Sequence, residues 1–180
     1  MMSPEPSADL IAESEAKLAA GDPDGALAVL LRVVAAAPTS ALAHSKLGII
    51  YVHKHQWDAA SGEFSKAIQL DPTYAPAYSN LGNVCRERGQ LDQAIAHYQK
   101  AISIDPEYWV AHQNLGIVYK QQGRVAEAVR EFKTATRLSL KSRGTAYGQS
   151  GGPAARPRTG CLGSAAMIIL AALTLAAPRR

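Results

Sequence analysis

The chain has 180 residues, of which 47% are hydrophobic and 6% aromatic, a composition typical of an alanine-rich helical protein and unlike that of a disordered chain. Its formal net charge of +4 does not indicate nucleic-acid binding, because residues 1–142 carry 14 Lys and Arg against 15 Asp and Glu, and five arginines lie in residues 143–180. A nucleic-acid-binding protein needs a basic face with interleaved aromatic residues, and the sequence offers none. We therefore expect no nucleic-acid partner.

The cysteines and the N-terminus indicate a reducing compartment. The chain has two cysteines, of which Cys85 lies within the central part of the chain and Cys161 lies beside an apolar run near the C-terminus, so a disulfide framework is not expected. The opening sequence MMSPEPSADLIAESEAK has acids and prolines where a secretory signal has basic residues and then an apolar core. We therefore expect an N-terminus that is not exported.

From residue 41 onward, landmark residues recur with a period of 34 residues. Leu81-Gly82 matches Leu47-Gly48 and Leu115-Gly116, Ala94 matches Ala60 and Ala128, Tyr98 matches Phe64 and Phe132, and Ala101 matches Ala67 and Ala135. A period of this length indicates a solenoid, in which stacked helix pairs bury a continuous core. The small residues are expected to let two helices approach closely, and the aromatic residues to fill the space between them.

In chain order, the pattern predicts a polar lead at 1–6, a degenerate first repeat at 7–40, and clear repeats at 41–74, 75–108 and 109–142. Gly21, Ala26 and Pro38 keep the first repeat in register, although Glu13-Ser14 replaces Leu-Gly. Each repeat predicts two antiparallel helices. Their expected ranges are about 7–20 and 23–36, 41–54 and 57–70, 75–88 and 91–104, and 109–122 and 125–140, the last extending to about 142.

Glycine, aspartate and proline explain these boundaries. Gly89 and Gly123 follow the first helix of their repeats, where a residue with positive φ ends a helix at little cost, and His55 occupies that place in the second repeat. Asp22, Asp58 and Asp92 lie at or beside the start of the second helix, where a carboxylate accepts from free backbone N–H groups. Asp71-Pro72 and Asp105-Pro106 close two repeats, because proline cannot extend the preceding helix.

The C-terminal region has a different character. Residues 143–160 are rich in Gly, Pro, Ser and Thr and predict a flexible linker. Residues 162–177, LGSAAMIILAALTLAA, carry no charge and no polar face, and they predict a C-terminal transmembrane anchor within 161–178 that leaves the repeats in the cytoplasm. The alternative is a cytoplasmic protein whose apolar helix covers the open end of the solenoid.

Catalytic and metal-binding signatures are not found in the sequence, so we expect neither an enzyme nor a cofactor or metal. His53 and His55 are two residues apart at a helix end and point to different sides. His44 and His112 stand where this repeat pattern often has tryptophan, which favours packing over ligation.

Stacked helix pairs curve so that the first helices line a concave face. The residues expected to face that groove and bind a peptide are Ser45, Lys46 and Ile49; Ser79, Asn80, Asn83 and Arg86; and Gln113, Asn114 and Ile117. The wider face also takes in Leu42, His53, Pro76, Glu87, Val110 and Gln121. Asparagine and glutamine amides both donate and accept, which suits the backbone of an extended peptide.

Residues 41–142 resemble tetratricopeptide repeat proteins, and the segments AYSNLGNV and HQNLGIVY are similar to the repeats of O-linked N-acetylglucosamine transferase-type arrays. The resemblance implies an all-α, right-handed solenoid. It also implies that Asn80 and Asn114 form a ladder that holds peptide main chain, which Lys46 interrupts. A chaperone-type carboxylate clamp is not expected, because Ser45, Ile49 and Val110 replace its basic and amide residues.

Two functions from different classes follow. The first is a non-enzymatic adaptor that binds a protein or peptide in the groove and is tethered through residues 162–177. The alternative is a self-assembling scaffold, a homo-oligomer whose apolar tail caps the solenoid or docks into a neighbouring molecule.

Overall fold

The computed structural model describes residues 6–148, with side chains described for residues 8–142. All regular structure in this range is α-helical. The helices are α1 (Pro6–Ala19), α2 (Pro23–Ala36), α3 (Ala41–His53), α4 (Trp57–Leu70), α5 (Ala75–Glu87), α6 (Leu91–Ile104), α7 (Trp109–Gln121) and α8 (Val125–Gly148). They form a solenoid of four helix pairs, which confirms the prediction of an all-α repeat fold.

The predicted helix boundaries agree with the observed ones to within one residue for α1 to α7, while α8 differs. It continues to Gly148, so the prediction that a linker begins at residue 143 is wrong. The fourth repeat has Ser139-Leu140 where the second and third have Asp-Pro, and the next proline is Pro153, so no proline ends the helix within the described residues. Residues 149–160 of the predicted linker and the whole segment 161–178 lie outside the described residues.

The two helices of each of the first three repeats pack against each other, and the second helix also packs against the first helix of the next repeat. In the fourth repeat, the Phe132 ring of α8 lies against Gly116 of α7. In addition, α1 contacts α3, α3 contacts α5, and α5 contacts α7, so the first helices lie side by side along one face. The core is shared between neighbours. One cluster, for example, joins Tyr98 of α6 with Leu115 and Val118 of α7 and Ala128 of α8.

Close approach of the two helices in a repeat depends on a glycine that faces an aromatic ring. A Cβ atom added to Gly48 would lie 2.6 Å from the ring of Phe64, one on Gly82 would lie 2.7 Å from that of Tyr98, and one on Gly116 would lie 2.8 Å from that of Phe132. These distances leave no room for a methyl group, because real Cβ atoms essentially never come within 3.0 Å of another atom. The predicted structural role of these glycines is confirmed.

The turn between the two helices of each repeat contains a residue with positive φ. Gly21, Gly89 and Gly123 have φ of 78°, 74° and 76°, and His55 has φ of 56° in the second repeat. The left-handed conformation costs an L-residue with a side chain roughly 1–2 kcal/mol. The second repeat therefore carries a strained histidine where the others have an unstrained glycine.

The predicted role of Asp58 and Asp92 as helix caps is wrong, although Asp22 does cap α2 by accepting a hydrogen bond from the Gly25 N–H at 2.8 Å. Neither Gln56 nor Gln90, the residues at the start of α4 and α6, makes a side-chain cap. Asp58 and Asp92 lie inside the first turn and reach across to the next repeat. Together with Asp24 they form an inter-repeat ladder, in which Lys54 pairs with Asp24, Arg88 pairs with Asp58, and Gln122 donates to Asp92 at 2.8 Å.

Among the described residues, no helix is both long enough and apolar enough to cross a membrane. The predicted anchor at residues 162–177 falls outside that range.

Candidate functional site: a groove along the first helices

The groove is built by α3, α5 and α7, the first helices of the second, third and fourth repeats. Eight of the ten predicted groove residues are accessible to solvent: Lys46, Ile49, Asn80, Asn83, Arg86, Asn114 and Ile117 are half-buried, and Gln113 is exposed. They come from equivalent positions because the repeat fixes which face each helix presents.

Ser45 and Ser79 do not belong to the accessible groove. Their relative exposures are 2% and 1%, so no ligand can reach their side chains in this arrangement. Each lies about 100° around its helix from the residue that follows it, Lys46 or Asn80, and this rotation turns the hydroxyl into the helix packing. The prediction is corrected at these two positions.

An apolar cavity of about 340 Å³ opens between the first repeat and α3. Its walls come mainly from Leu18 of α1, Leu30 of α2, and Ile49 and Ile50 of α3. Lys46 and Glu15 also line it and pair with each other, so the positive charge of Lys46 is neutralised within the protein. The arrangement suits an apolar side chain, because most of the lining is apolar, Lys46 and Glu15 pair with each other, and the Ser14 hydroxyl donates to the carbonyl oxygen of Ile11.

A second, more polar cavity of about 390 Å³ lies next to the first. It joins the end of α3 and the following turn to α5 and α7, and its lining residues are Val52, His53, His55, Trp57, Asn83, Arg86, Glu87 and Asn114. Three of the predicted groove residues, Asn83, Arg86 and Asn114, therefore meet here. His53 lines both cavities, so they are neighbours along one groove.

Hydrogen bonds orient the polar groups of this second cavity. The Tyr98 hydroxyl donates to Oδ1 of Asn83 at 2.7 Å, and burial raises the pKa of Tyr98 well above its usual range, which keeps that donor protonated. Arg86 donates to Oε1 of Glu87 at 2.8 Å. The rings of His55 and Trp57 meet edge to face with centroids 5.5 Å apart, which holds the imidazole in place.

The other accessible groove residues lie apart from these two cavities. Gln113 faces α8, in a cavity of about 280 Å³ whose lining includes Trp109 and Phe132. Asn80 and Ile117 are half-buried and line neither of the two groove cavities. The residues predicted to face the groove are therefore accessible but divided among separate cavities, which the sequence did not indicate.

Nine residues that line the two groove cavities were not predicted. They are Ser14, Glu15, Leu18 and Ala19 of α1, Leu30 of α2, Ile50 and Val52 of α3, His55 in the turn of the second repeat, and Trp57 at the start of α4. Glu15 and Leu18 belong to the degenerate repeat, in which the pattern is too weak to assign faces. His55 did leave a signal, because it replaces the glycine of the other three turns. A residue that strains the backbone at this turn indicates a role beyond the turn itself.

His44 and His112 are buried and hydrogen-bonded rather than free to ligate. Nδ1 of His44 lies 2.6 Å from Oε2 of Glu63, and its Nε2 lies 3.0 Å from the carbonyl oxygen of Pro38. His97 is half-buried, and burial lowers its pKa. In the described part of the chain, no three His, Cys, Asp or Glu side chains come together in a way that would hold a metal ion.

Four models of the tetratricopeptide repeat match the chain. Those described as "Tetratricopeptide repeat" match residues 11–75, 63–96 and 110–142, and one described as "TPR repeat" matches residues 82–123. The first match covers the degenerate repeat, which supports its assignment from Gly21, Ala26 and Pro38. No curated protein sequence matches significantly.

Solved structures of MamA are similar to this chain. One, "Crystal structure of MamA", has a TM-score of 0.64 and 33% sequence identity, and the match covers 79% of this chain and 83% of that one. A second, "Crystal structure of MamA protein", has a TM-score of 0.61 and 32% sequence identity, and the match covers 82% of this chain and 80% of that one. A third, "MamA 41-end from Desulfovibrio magneticus RS-1", has a TM-score of 0.62 and 25% sequence identity, and the match covers 75% of this chain and 76% of that one.

Proposed function

Because the chain belongs to the tetratricopeptide repeat family, we propose that it is a non-enzymatic interaction scaffold that binds a protein or peptide along the groove of α3, α5 and α7. The family and the MamA-like architecture support a protein-interaction scaffold. The observation that carries the proposal is the pair of adjoining cavities along the groove, one apolar and one polar. Stacked repeats of this kind use such a surface for extended partners.

Asn80 and Asn114 are the residues proposed to hold the main chain of a bound peptide. Both are half-buried and occupy the same position in consecutive repeats, so their amides are presented with the period of the solenoid. A side-chain amide can donate to a peptide carbonyl and accept from a peptide N–H at once. This pairing depends little on the partner's side chains, which suits a scaffold.

The groove proposal is tested by crosslinking and pull-down with the wild type and with Asn80→Ala/Asn114→Ala. We expect the double variant to lose the partners that the wild type retains. The matched control is Gln69→Ala/Gln99→Ala, which removes two exposed amides from the second helices α4 and α6. Equal capture by the wild type and both variants would show that binding does not use the groove.

A second candidate function is self-assembly, and an exposed apolar row on α8 favours it. Val125, Val129 and Leu140 have relative exposures of 63%, 43% and 62%. Val129 and Leu140 also line an open cavity of about 590 Å³ with Phe132. Exposed apolar patches of this kind often mark contact surfaces between proteins.

Sedimentation velocity over a range of protein concentrations tests self-assembly. We expect the sedimentation coefficient of the full chain to rise with concentration, and we expect Val129→Glu/Leu140→Glu to abolish that rise. A wild type that stays monomeric at all concentrations would rule this candidate out and leave the groove proposal intact.

Membrane tethering through residues 162–177 stays a prediction from the sequence. Carbonate extraction of membranes, applied to the full chain and to a chain that ends at Ser142, tests it directly. Retention of the full chain alone is the expected result for an anchor, and release of both would show that the tail does not anchor the protein.

A further inference from the structure

The two groove cavities differ in chemistry and adjoin at His53, so an extended segment that lies along the groove would meet both. The apolar one presents Leu18, Leu30, Ile49 and Ile50. An aliphatic side chain that enters it leaves water without leaving a polar group unpaired.

Hydrogen-bond donors outnumber acceptors in the polar cavity. Oδ1 of Asn83 already accepts from the Tyr98 hydroxyl, so the NH₂ group of Asn83 is the part left for a ligand. The guanidinium of Arg86 uses one of its five N–H groups on Glu87, which is the only acid among the lining residues. Asn114, His53 and His55 bring acceptors as well as donors, so the excess of donors comes from Asn83 and Arg86. This excess of donors is complementary to a carboxylate.

The turn at His55 supplies an independent reason to expect a ligand at the polar cavity. The other three repeats have glycine there, whereas His55 has φ of 56° and a ring that packs against Trp57 at the edge of this cavity. Glycine would adopt this conformation without strain, as Gly89 and Gly123 do, but it would remove the imidazole from the cavity. A strained backbone conformation at a residue whose side chain lines a cavity is typical of a functional position.

We propose that the groove recognises an extended peptide that places an aliphatic side chain in the apolar cavity and a carboxylate side chain in the polar cavity. The proposal rests on the proposed function and specifies the class of its ligand. In an extended peptide, side chains at i, i+2 and i+4 point to the same side, so the two anchors are separated by one or three residues.

The probe is a set of fluorescein-labelled synthetic peptides in a glycine-serine background, each with one leucine and one glutamate. The two residues are separated by one, two or three positions. Fluorescence anisotropy with the full chain gives the dissociation constants. We expect the spacings of one and three to bind better than the spacing of two. Replacement of glutamate by glutamine in the peptide should weaken binding by about tenfold or more, because a charge-assisted hydrogen bond is lost.

The variant that isolates the polar cavity is His55→Gly. We expect this variant to bind the glutamate peptide about tenfold more weakly and to leave the affinity for the glutamine peptide unchanged. It should also unfold at a higher denaturant concentration, because the backbone strain is gone. Its matched control is Gly89→His, which places the same residue in the next turn. That variant should be less stable and bind the peptides as the wild type does.

The apolar cavity is tested with Ile49→Gln. This variant should lose the preference for a leucine peptide over an alanine peptide, while Ile117→Gln, at the same position two repeats later, should keep it. Circular dichroism confirms that all four variants are folded before binding is compared.

The proposal is overturned if glutamate and glutamine peptides bind the wild type equally, or if His55→Gly leaves the preference for glutamate unchanged. If the peptides do not bind but Asn80→Ala/Asn114→Ala loses the partners that the wild type captures, this ligand class is rejected and the groove function is kept. If the peptides do not bind and the double variant still captures those partners, both proposals are rejected.

Discussion

His112 and Glu131 fix the first helix of the fourth repeat to its second helix and to the turn that precedes it. Nδ1 of His112 lies 2.7 Å from Oε2 of Glu131, and Nε2 lies 3.2 Å from the carbonyl oxygen of Pro106. His44 and Glu63 form the same arrangement at the equivalent positions of the second repeat. The third repeat has Tyr78 and His97 at these positions, so it cannot form a histidine–carboxylate pair there.

Glu131→Ala is therefore expected to destabilise the protein by about 1–3 kcal/mol, because it leaves a nitrogen of the buried His112 ring without a partner. Urea unfolding followed by circular dichroism measures the change. The control is Glu127→Ala, whose partner Arg124 lies on the surface, where solvent screens the pair. An effect no larger than that of the control would mean that the His112 pair does not stabilise the fold.

Gly62 and Gly82 should respond oppositely to alanine, although both lie within helices. A Cβ on Gly62 meets no atom within 4 Å, so Gly62→Ala should stabilise the protein by roughly 0.5–1 kcal/mol through helix propensity. A Cβ on Gly82 would strike the Tyr98 ring, so Gly82→Ala should cost about 1–3 kcal/mol through overpacking. Urea midpoints that move in the same direction for both variants would contradict the packing argument.

Cys85 is expected to be a slowly reacting thiol. Burial raises its pKa, the nearby charge of Arg88 opposes that shift only in part, and its exposure is 7%. A raised pKa means less thiolate at a given pH, and the thiolate is the nucleophile. In a Cys161→Ser background, the rate of reaction with Ellman's reagent at pH 8 should be much lower for the native protein than in guanidinium. Equal rates in the two conditions would show that Cys85 is accessible.

The helices themselves were well predicted, because the positions of glycine, proline and small residues repeat with the fold. The repeat pattern carries no information on contacts between neighbouring repeats, and this explains both errors at aspartate. Asp58 and Asp92 match the sequence signature of a cap, yet their partners Arg88 and Gln122 come from the following repeat. The length of α8 was underestimated because the fourth repeat lacks the Asp-Pro pair that closes the second and third repeats.

The accessible positions on the first helices could be predicted for the same reason, except at two kinds of position, whereas peptide binding along them stays a prediction. Ser45 and Ser79 are polar residues beside the true groove face, and their burial follows from packing that composition does not reveal. The polar cavity joins α3, its turn, α5 and α7, so its shape depends on three repeats at once.

The central helices are expected to be the most protected from hydrogen exchange. Each of α4, α5 and α6 has repeats on both sides, whereas α1 and α2 form the first repeat of the array. In a solenoid, the local stability is approximately the sum of the intrinsic stability of a repeat and the free energies of its interfaces with neighbouring repeats. A terminal repeat has one such interface and therefore opens first. Mass spectrometry of native-state exchange should show earlier deuteration in α1 than in α5. Uniform protection would indicate that the array unfolds as one cooperative block.

For the whole array, a second copy of residues 75–108 inserted after residue 108 should fold as a fifth repeat. The first copy offers Asp92 to Arg88 of the second, and the second offers its own Asp92 to Gln122, so every ladder contact is kept. The slope of the urea unfolding curve should increase, because it scales with the surface exposed on unfolding. An unchanged slope would mean that the inserted copy stays unfolded.

The inter-repeat ladder also has consequences for how such proteins change in evolution. At the two ends of the array, Ala20 and Ala126 stand where the internal repeats have a ladder donor and a ladder acceptor. Duplication of an internal segment therefore lengthens the groove while both ends keep their alanines. A molecule that docked head to tail onto another would bring alanine to alanine and gain no ion pair. Natural selection can in this way adjust how long a partner the groove accommodates while every ladder contact is kept.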